Sequence, residues 1–144
     1  MSLEEKLAPL IGRMAFGWFF LTQVAMYGGD WSHTIDRLEG YGIPAAPFTL
    51  AVALLFLTMG AVMLILGYHA RYGALFLFVI TAIATVLLHA YWRIDRYASP
   101  SLYDIKFQLF ACHTAIAGGL LMLIGLGPGP LSFDNRGKGG GGKK

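Results

Sequence analysis

Two long uncharged segments lie almost end to end between Pro47 and Trp92. Phe48 to Gly67 contains no charged residue, and neither does Tyr72 to Trp92, whose single strongly polar side chain is His89. The short stretch Tyr68-His69-Ala70-Arg71 joins them. A lipid hydrocarbon core of about 30 Å needs roughly 20 apolar helical residues. Each segment has that length, so the pair predicts a transmembrane helical hairpin with a very short turn.

Composition agrees with this reading. The 144 residues are 56% hydrophobic and 13% charged, with mean hydropathy +0.60. A soluble domain carries about 25% charge. The shortfall, concentrated in runs of spanning length, predicts an integral membrane protein rather than a soluble helical core. Cys112 is the single cysteine, which excludes an intrachain disulfide and any cysteine-built zinc or iron–sulfur site. It lies in an apolar run, where a small buried thiol is expected. The formal charge of +3 comes from basic residues at segment ends and in the tail. They read as topology signals, so no nucleic-acid partner is expected. The acidic start, Ser2-Leu3-Glu4-Glu5, lacks the basic region of a signal peptide, and the first apolar segment is expected to remain in the protein.

The spans are placed at about 10–27, 48–67, 72–92 and 106–126, after a short lead-in at residues 2–8. The predicted class is all-α: an integral membrane four-helix bundle formed by residues 1–134, followed by a basic Gly/Lys-rich tail at 135–144 whose default is disorder. Arg13, near one end of the first span, reads as snorkelling to the headgroups. Gln23 lies deeper and needs a partner inside the bundle. In the loop that follows, Ser32 reads as the cap of a short helix over residues 33–38, and Trp31 and Tyr41 suit a membrane interface.

Four spans put both termini on one side. Lys6, Arg13, Arg71, Arg136, Lys138, Lys143 and Lys144 fall on that side; Arg37, Arg93, Arg96 and Lys106 fall on the other. The excess assigns both termini to the cytoplasm. With that orientation, Gln23, His89, Gln108 and His113 all fall in the outer half of the bundle, at about 1.5 Å of depth per residue. They are expected to line one pocket, with the first loop as its lid and Trp92 as a wall.

Ionisable groups within a membrane mark function by default. Three readings of His89 and His113 follow from their chemistry. They can hold the bundle together by interhelical hydrogen bonds. They can hydrogen-bond a quinone or another small molecule. They can ligate haem or another metal, although two histidines on different helices satisfy no haem spacing rule. His33 and His69 lie in loops and are expected to be solvated. No glycine-rich loop joins a strand to a helix, and every carboxylate lies in a loop or terminus, which leaves no paired-carboxylate site. Cys112 and His113 are helical neighbours about 100° apart, a poor nucleophile–base pair. The absence of a repeat between halves or of a broken helix argues against a solute carrier.

Several short stretches resemble the DoxX-like family of small bacterial membrane proteins, over about Ile11 to Asp134. They are Arg13 with Gly17; Gly42-Ile43-Pro44 before the second span; Gly60; Gly67, Arg71 and Ala74 in a Gly-x-x-x-Arg-x-x-Ala turn; His89-Ala90-Tyr91-Trp92; Gly118-Gly119-Leu120-Leu121; and Gly127-Pro128-Gly129-Pro130-Leu131-Ser132-Phe133-Asp134. The resemblance implies a bacterial inner-membrane bundle associated with a respiratory or other electron-transfer complex, contacting quinone in its outer half. If it is an enzyme, it would be a subunit of a quinone-linked oxidoreductase. Cofactor-binding residues would then be His89, His113, Gln23, Gln108 and Trp92, and the partners would be the lipid bilayer and other membrane protein subunits. Where that family carries intramembrane charges, this chain has Tyr27, Leu57-Thr58 and Cys112-His113. The alternative is therefore a non-catalytic structural or accessory subunit of a larger membrane complex.

Overall fold

The computed structural model describes residues 2–136. Its order is α1 (Leu3–Gly29), α2 (Trp31–Gly40), α3 (Ala46–Leu66), α4 (Ala70–Leu88), a single 3-10 turn (Tyr91–Arg93), α5 (Pro100–Leu126) and α6 (Phe133–Arg136). Four of these helices are long and apolar enough to cross a membrane. The fold class is all-α, with no strand among the described residues. Residues 137–144, most of the basic tail, lie outside the described residues.

The first helix begins earlier than the lead-in expectation. The Ser2 hydroxyl accepts from Glu5 N–H (3.2 Å) while Ser2 N–H donates to the Glu5 carboxylate (2.8 Å). This capping box satisfies two donors that helix geometry leaves open. At about 1.5 Å per residue, the 27 residues of α1 measure about 40 Å, which exceeds the hydrocarbon core. Helix α2 also differs from expectation: it starts at Trp31, and Ser32 does not cap it. Asp30 holds the cap position without a side-chain bond, because Thr34 makes the junction instead. The Thr34 hydroxyl donates to Asp30 O (2.8 Å) and Tyr27 O (3.1 Å), which ties α2 to the end of α1.

Helix α1 packs on α3, α3 on α4, and α4 on α5. The α3–α4 contact is close because two glycines meet there. A Cβ at Gly60 would lie 2.7 Å from Leu77 Cγ and 3.1 Å from Gly73 O; one at Gly73 would lie 2.8 Å from Met63 Cβ. Small residues let helices approach in lipid, where there is no hydrophobic drive to bring them together. Phe20, Leu57, Ala61, Leu64, Ala74, Leu77 and Leu120 form the core. The outer face of α5 has no helix against it, so Cys112 is exposed rather than buried.

The hairpin end of the bundle is closed by a polar knot. Gly67 adopts φ +68°. Its N–H returns to Leu64 O (3.1 Å) and Tyr68 N–H to Met63 O (3.1 Å), a Schellman termination that requires a left-handed residue. Arg13 does not snorkel. It is 1% exposed, and its guanidinium donates to Leu64 O (3.4 Å) and to Leu131 O. The reason is the segment after α5, which folds back over it. Asp134 N–H donates to Gly67 O (3.0 Å), and the Asp134 carboxylate accepts from His69 N–H (2.7 Å) and Ala70 N–H (3.0 Å). A carboxylate thus caps α4 from a residue 64 positions away.

Candidate functional site

At the opposite end, where α2 lies, the chain gathers its other polar side chains. Helix α4 stops at Leu88, and its last carbonyls have no intrahelical donor. Lys106 of α5 supplies one. Its ammonium donates to Leu88 O (2.7 Å) and to the Tyr41 hydroxyl (3.0 Å). Tyr41, just past α2, lies within 3.4 Å of the same carbonyl through its hydroxyl. Three elements therefore meet at Leu88.

His89 follows as the C-cap residue of α4, with its N–H donating to Thr85 O (3.2 Å). Its side chain is buried, and Nδ1 has no hydrogen-bond partner. The ring faces that of His113 with centroids 4.4 Å apart and planes at 39°. His113 Nδ1 lies 2.8 Å from Leu109 O. A carbonyl only accepts, so that nitrogen carries the proton, and Nε2 of the neutral ring is the acceptor. The edge of Phe19 closes the other side of His113 at 6.2 Å.

The expected site residues are distributed as follows. His89 and His113 are brought into ring contact. Trp92 joins a neighbouring aromatic cluster, 5.7 Å from Phe110 and 5.3 Å from Tyr91. Gln23 is half-buried and Gln108 is exposed, and neither makes a hydrogen bond to the histidines among the described residues. His33 lies in α2, 3.7 Å from the Asp30 carboxylate. His69 sits at the hairpin between the rings of Tyr68 (4.3 Å) and Tyr72 (6.1 Å). Among the described residues, no three of His, Cys, Asp and Glu gather as a metal ion would need.

Sequence reasoning missed a further feature of this end. A cleft of about 440 Å³ runs beneath α2 between α3 and α4. Thr34 and Leu38 roof it, Ala53, Leu54 and Leu57 form one wall, and Ile83, Ala84, Leu87 and Leu88 form the other. Phe48 and Ile83 are exposed at its rim, so it opens sideways. Its lining is almost wholly apolar, because the hydroxyls of Thr34 and Thr49 are spent on backbone carbonyls. Long apolar runs carry no signal that separates lipid-facing residues from cleft-lining ones.

The sequence profile of the SURF4 family matches residues 45–139, well over half of the chain. The chain belongs to the SURF4 family. The Surfeit locus protein 4 homolog of Drosophila melanogaster is 36% identical over 77 residues, which are 54% of this chain and 28% of that protein. The homolog of Schizosaccharomyces pombe is 32% identical over 76 residues, 53% of this chain and 24% of that protein. This SURF4 member thus matches about a quarter of the length of each Surfeit relative. The Inner membrane protein YphA of Escherichia coli K12 is 27% identical over 104 residues, 72% of this chain and 71% of that protein. No solved structure matches the chain.

The family match overturns the DoxX-like assignment, and with it the association with quinone-linked electron transfer; it gives no specific support to an accessory subunit either. The structure shows why those stretches misled. Gly60 and Gly67 are needed for a close helix pair and a left-handed turn, and Arg13 and Asp134 for tying the hairpin end. Such motifs report how membrane helices pack and end, not which chemistry they serve.

Proposed function

We propose that this SURF4-family chain is a membrane-embedded binding protein that holds one hydrocarbon-bearing molecule in the cleft beneath α2. The observation that carries the reading is the cleft itself. It is apolar, opens sideways at Phe48 and Ile83, and is roofed by an amphipathic helix. Pockets of roughly 300–1,000 Å³ are the usual size for small-molecule sites. A sideways opening at bilayer depth admits a ligand from lipid without passage through water.

His89, His113 and Trp92 take a supporting role here. The histidine contact fixes α4 on α5, Trp92 and Tyr91 pack the 3-10 turn on α5, and Lys106 ties both to the roof through Tyr41. We place the chain in the inner membrane of a bacterium with both termini cytoplasmic. The likeness to YphA and the excess of basic residues on the side of the termini support this placement.

The test is photolabelling in bilayers with a phosphatidylcholine that carries a diazirine near the end of one acyl chain. Labels should concentrate on Leu54, Leu57 and Ala84, and Ala84→Phe should disperse them. Labelling spread evenly over exposed residues such as Val62 and Val79 would overturn the reading.

A further inference from the structure

A cation stands beside the cleft. Leu88 lines the cleft, and its carbonyl accepts from Lys106. Leu38 lines it from the roof, three residues before Tyr41, whose hydroxyl accepts from the same ammonium. An ammonium has three donors. Two are used here, and one remains.

Among the described residues no carboxylate lies within 4 Å of Lys106; the pair that does meet that distance is His33 with Asp30. A permanent cation is therefore bonded to a carbonyl of a cleft-lining residue, Leu88, next in sequence to the buried His89, whose Nδ1 is unpartnered. An uncompensated cation at the edge of an apolar region is costly unless an anion accompanies it.

We propose that the occupant is an anionic phospholipid, with one acyl chain in the cleft and its phosphate head held by Lys106 beside the Tyr41 hydroxyl. This rests on the cleft-binding reading, and it adds the headgroup chemistry. A neutral hydrocarbon would fill the cleft and leave the cation unanswered. A soluble phosphate would answer the cation and leave the cleft unfilled. A lipid does both, because it joins an anionic head to a hydrocarbon chain, and here the Lys106 ammonium is bonded to the carbonyl of Leu88, whose residue lines the cleft.

The test uses the full chain in nanodiscs that contain equal amounts of dioleoylphosphatidylglycerol and dioleoylphosphatidylcholine, released into the gas phase for mass measurement. The wild type should retain the glycerol lipid in preference, by about fivefold. Lys106→Gln should lose most of that preference and still retain lipid, Lys106→Arg should keep it, and Ala84→Phe should retain neither lipid. Inorganic phosphate at millimolar concentration should not displace the bound lipid. Equal retention of the two lipids by the wild type would overturn the headgroup assignment and leave the cleft reading standing. Retention of neither would overturn both. Displacement by inorganic phosphate would show that the cation serves a soluble anion, against the proposal.

Discussion

Arg13 fills the space that a side chain at Gly67 would need. A Cβ on Gly67 would overlap Arg13 Nη1 and come within 2.7 Å of Ser132 Cβ. The glycine is thus required twice, by its left-handed φ of +68° and by the guanidinium beneath it. Left-handed backbone costs a residue with a Cβ about 1–2 kcal/mol. Displacing a charged group from its carbonyls costs about 1.5–3 kcal/mol per hydrogen bond. Gly67→Ala should therefore lower the thermal unfolding temperature in detergent sharply. Gly12→Ala is the control. Nothing lies within 4 Å of a Cβ there, and alanine favours the helix by about 1 kcal/mol, so its unfolding temperature should hold or rise.

Asp134 should act as a cap rather than as a surface charge. Its carboxylate accepts from the first N–H groups of α4, and its own N–H bonds Gly67 O. Removing a helix cap costs about 0.5–2 kcal/mol. Asp134→Ala should destabilise by that order and should also raise hydrogen exchange at His69 and Ala70. An unchanged exchange rate at those amides would show that the bonds do not persist in detergent.

The α3–α4 contact predicts a coupling. Gly60→Ala places a methyl 2.7 Å from Leu77 Cγ, and overpacking of this kind costs about 1–3 kcal/mol. Leu77→Ala alone leaves a cavity and costs about 2–5 kcal/mol. Together they should cost less than the sum, because the new methyl enters the space the leucine vacates. Additive losses in unfolding free energy would mean that the helices separate instead of clashing.

Orientation is open to direct test. In a Cys112→Ala background, Asp36→Cys and Arg71→Cys place thiols on exposed positions at opposite ends of the bundle. A membrane-impermeant maleimide added to bacterial cells with a permeable outer membrane should label Asp36→Cys and spare Arg71→Cys. The reverse pattern would contradict the assignment of both termini to the cytoplasm.

Much of the architecture is legible without coordinates, because spanning length and apolarity are local properties. The short hairpin turn can be read from Gly67 and the charge at Arg71. The early start of α1 is signalled by Ser2 and Glu5 at capping-box spacing, although residues 2–8 are expected only as a lead-in. Arg13 was not legible. Its carbonyl partners lie 51 and 118 residues away, and nothing near it in sequence distinguishes a buried guanidinium from a snorkelling one. Reasoning from depth put His89 and His113 in the same half of the bundle, and their rings do meet. Depth gives no direction around a helix, however, so it could not tell that Gln108 points outward. The cleft was hidden for the same reason. Ala84 and Leu54 look like any other apolar residues until α2 is seen to lie across them.

The most direct test of the central claim is the amount of phospholipid that remains with the purified chain. After gel filtration in lipid-free detergent, lipid phosphorus should approach one per wild-type chain. It should fall several-fold in Ala84→Phe, whose ring fills the cleft, while the unfolding temperature stays within a few degrees of wild type. Equal phosphorus in the two proteins would contradict the account, since the bound lipid would then lie somewhere other than the cleft beneath α2.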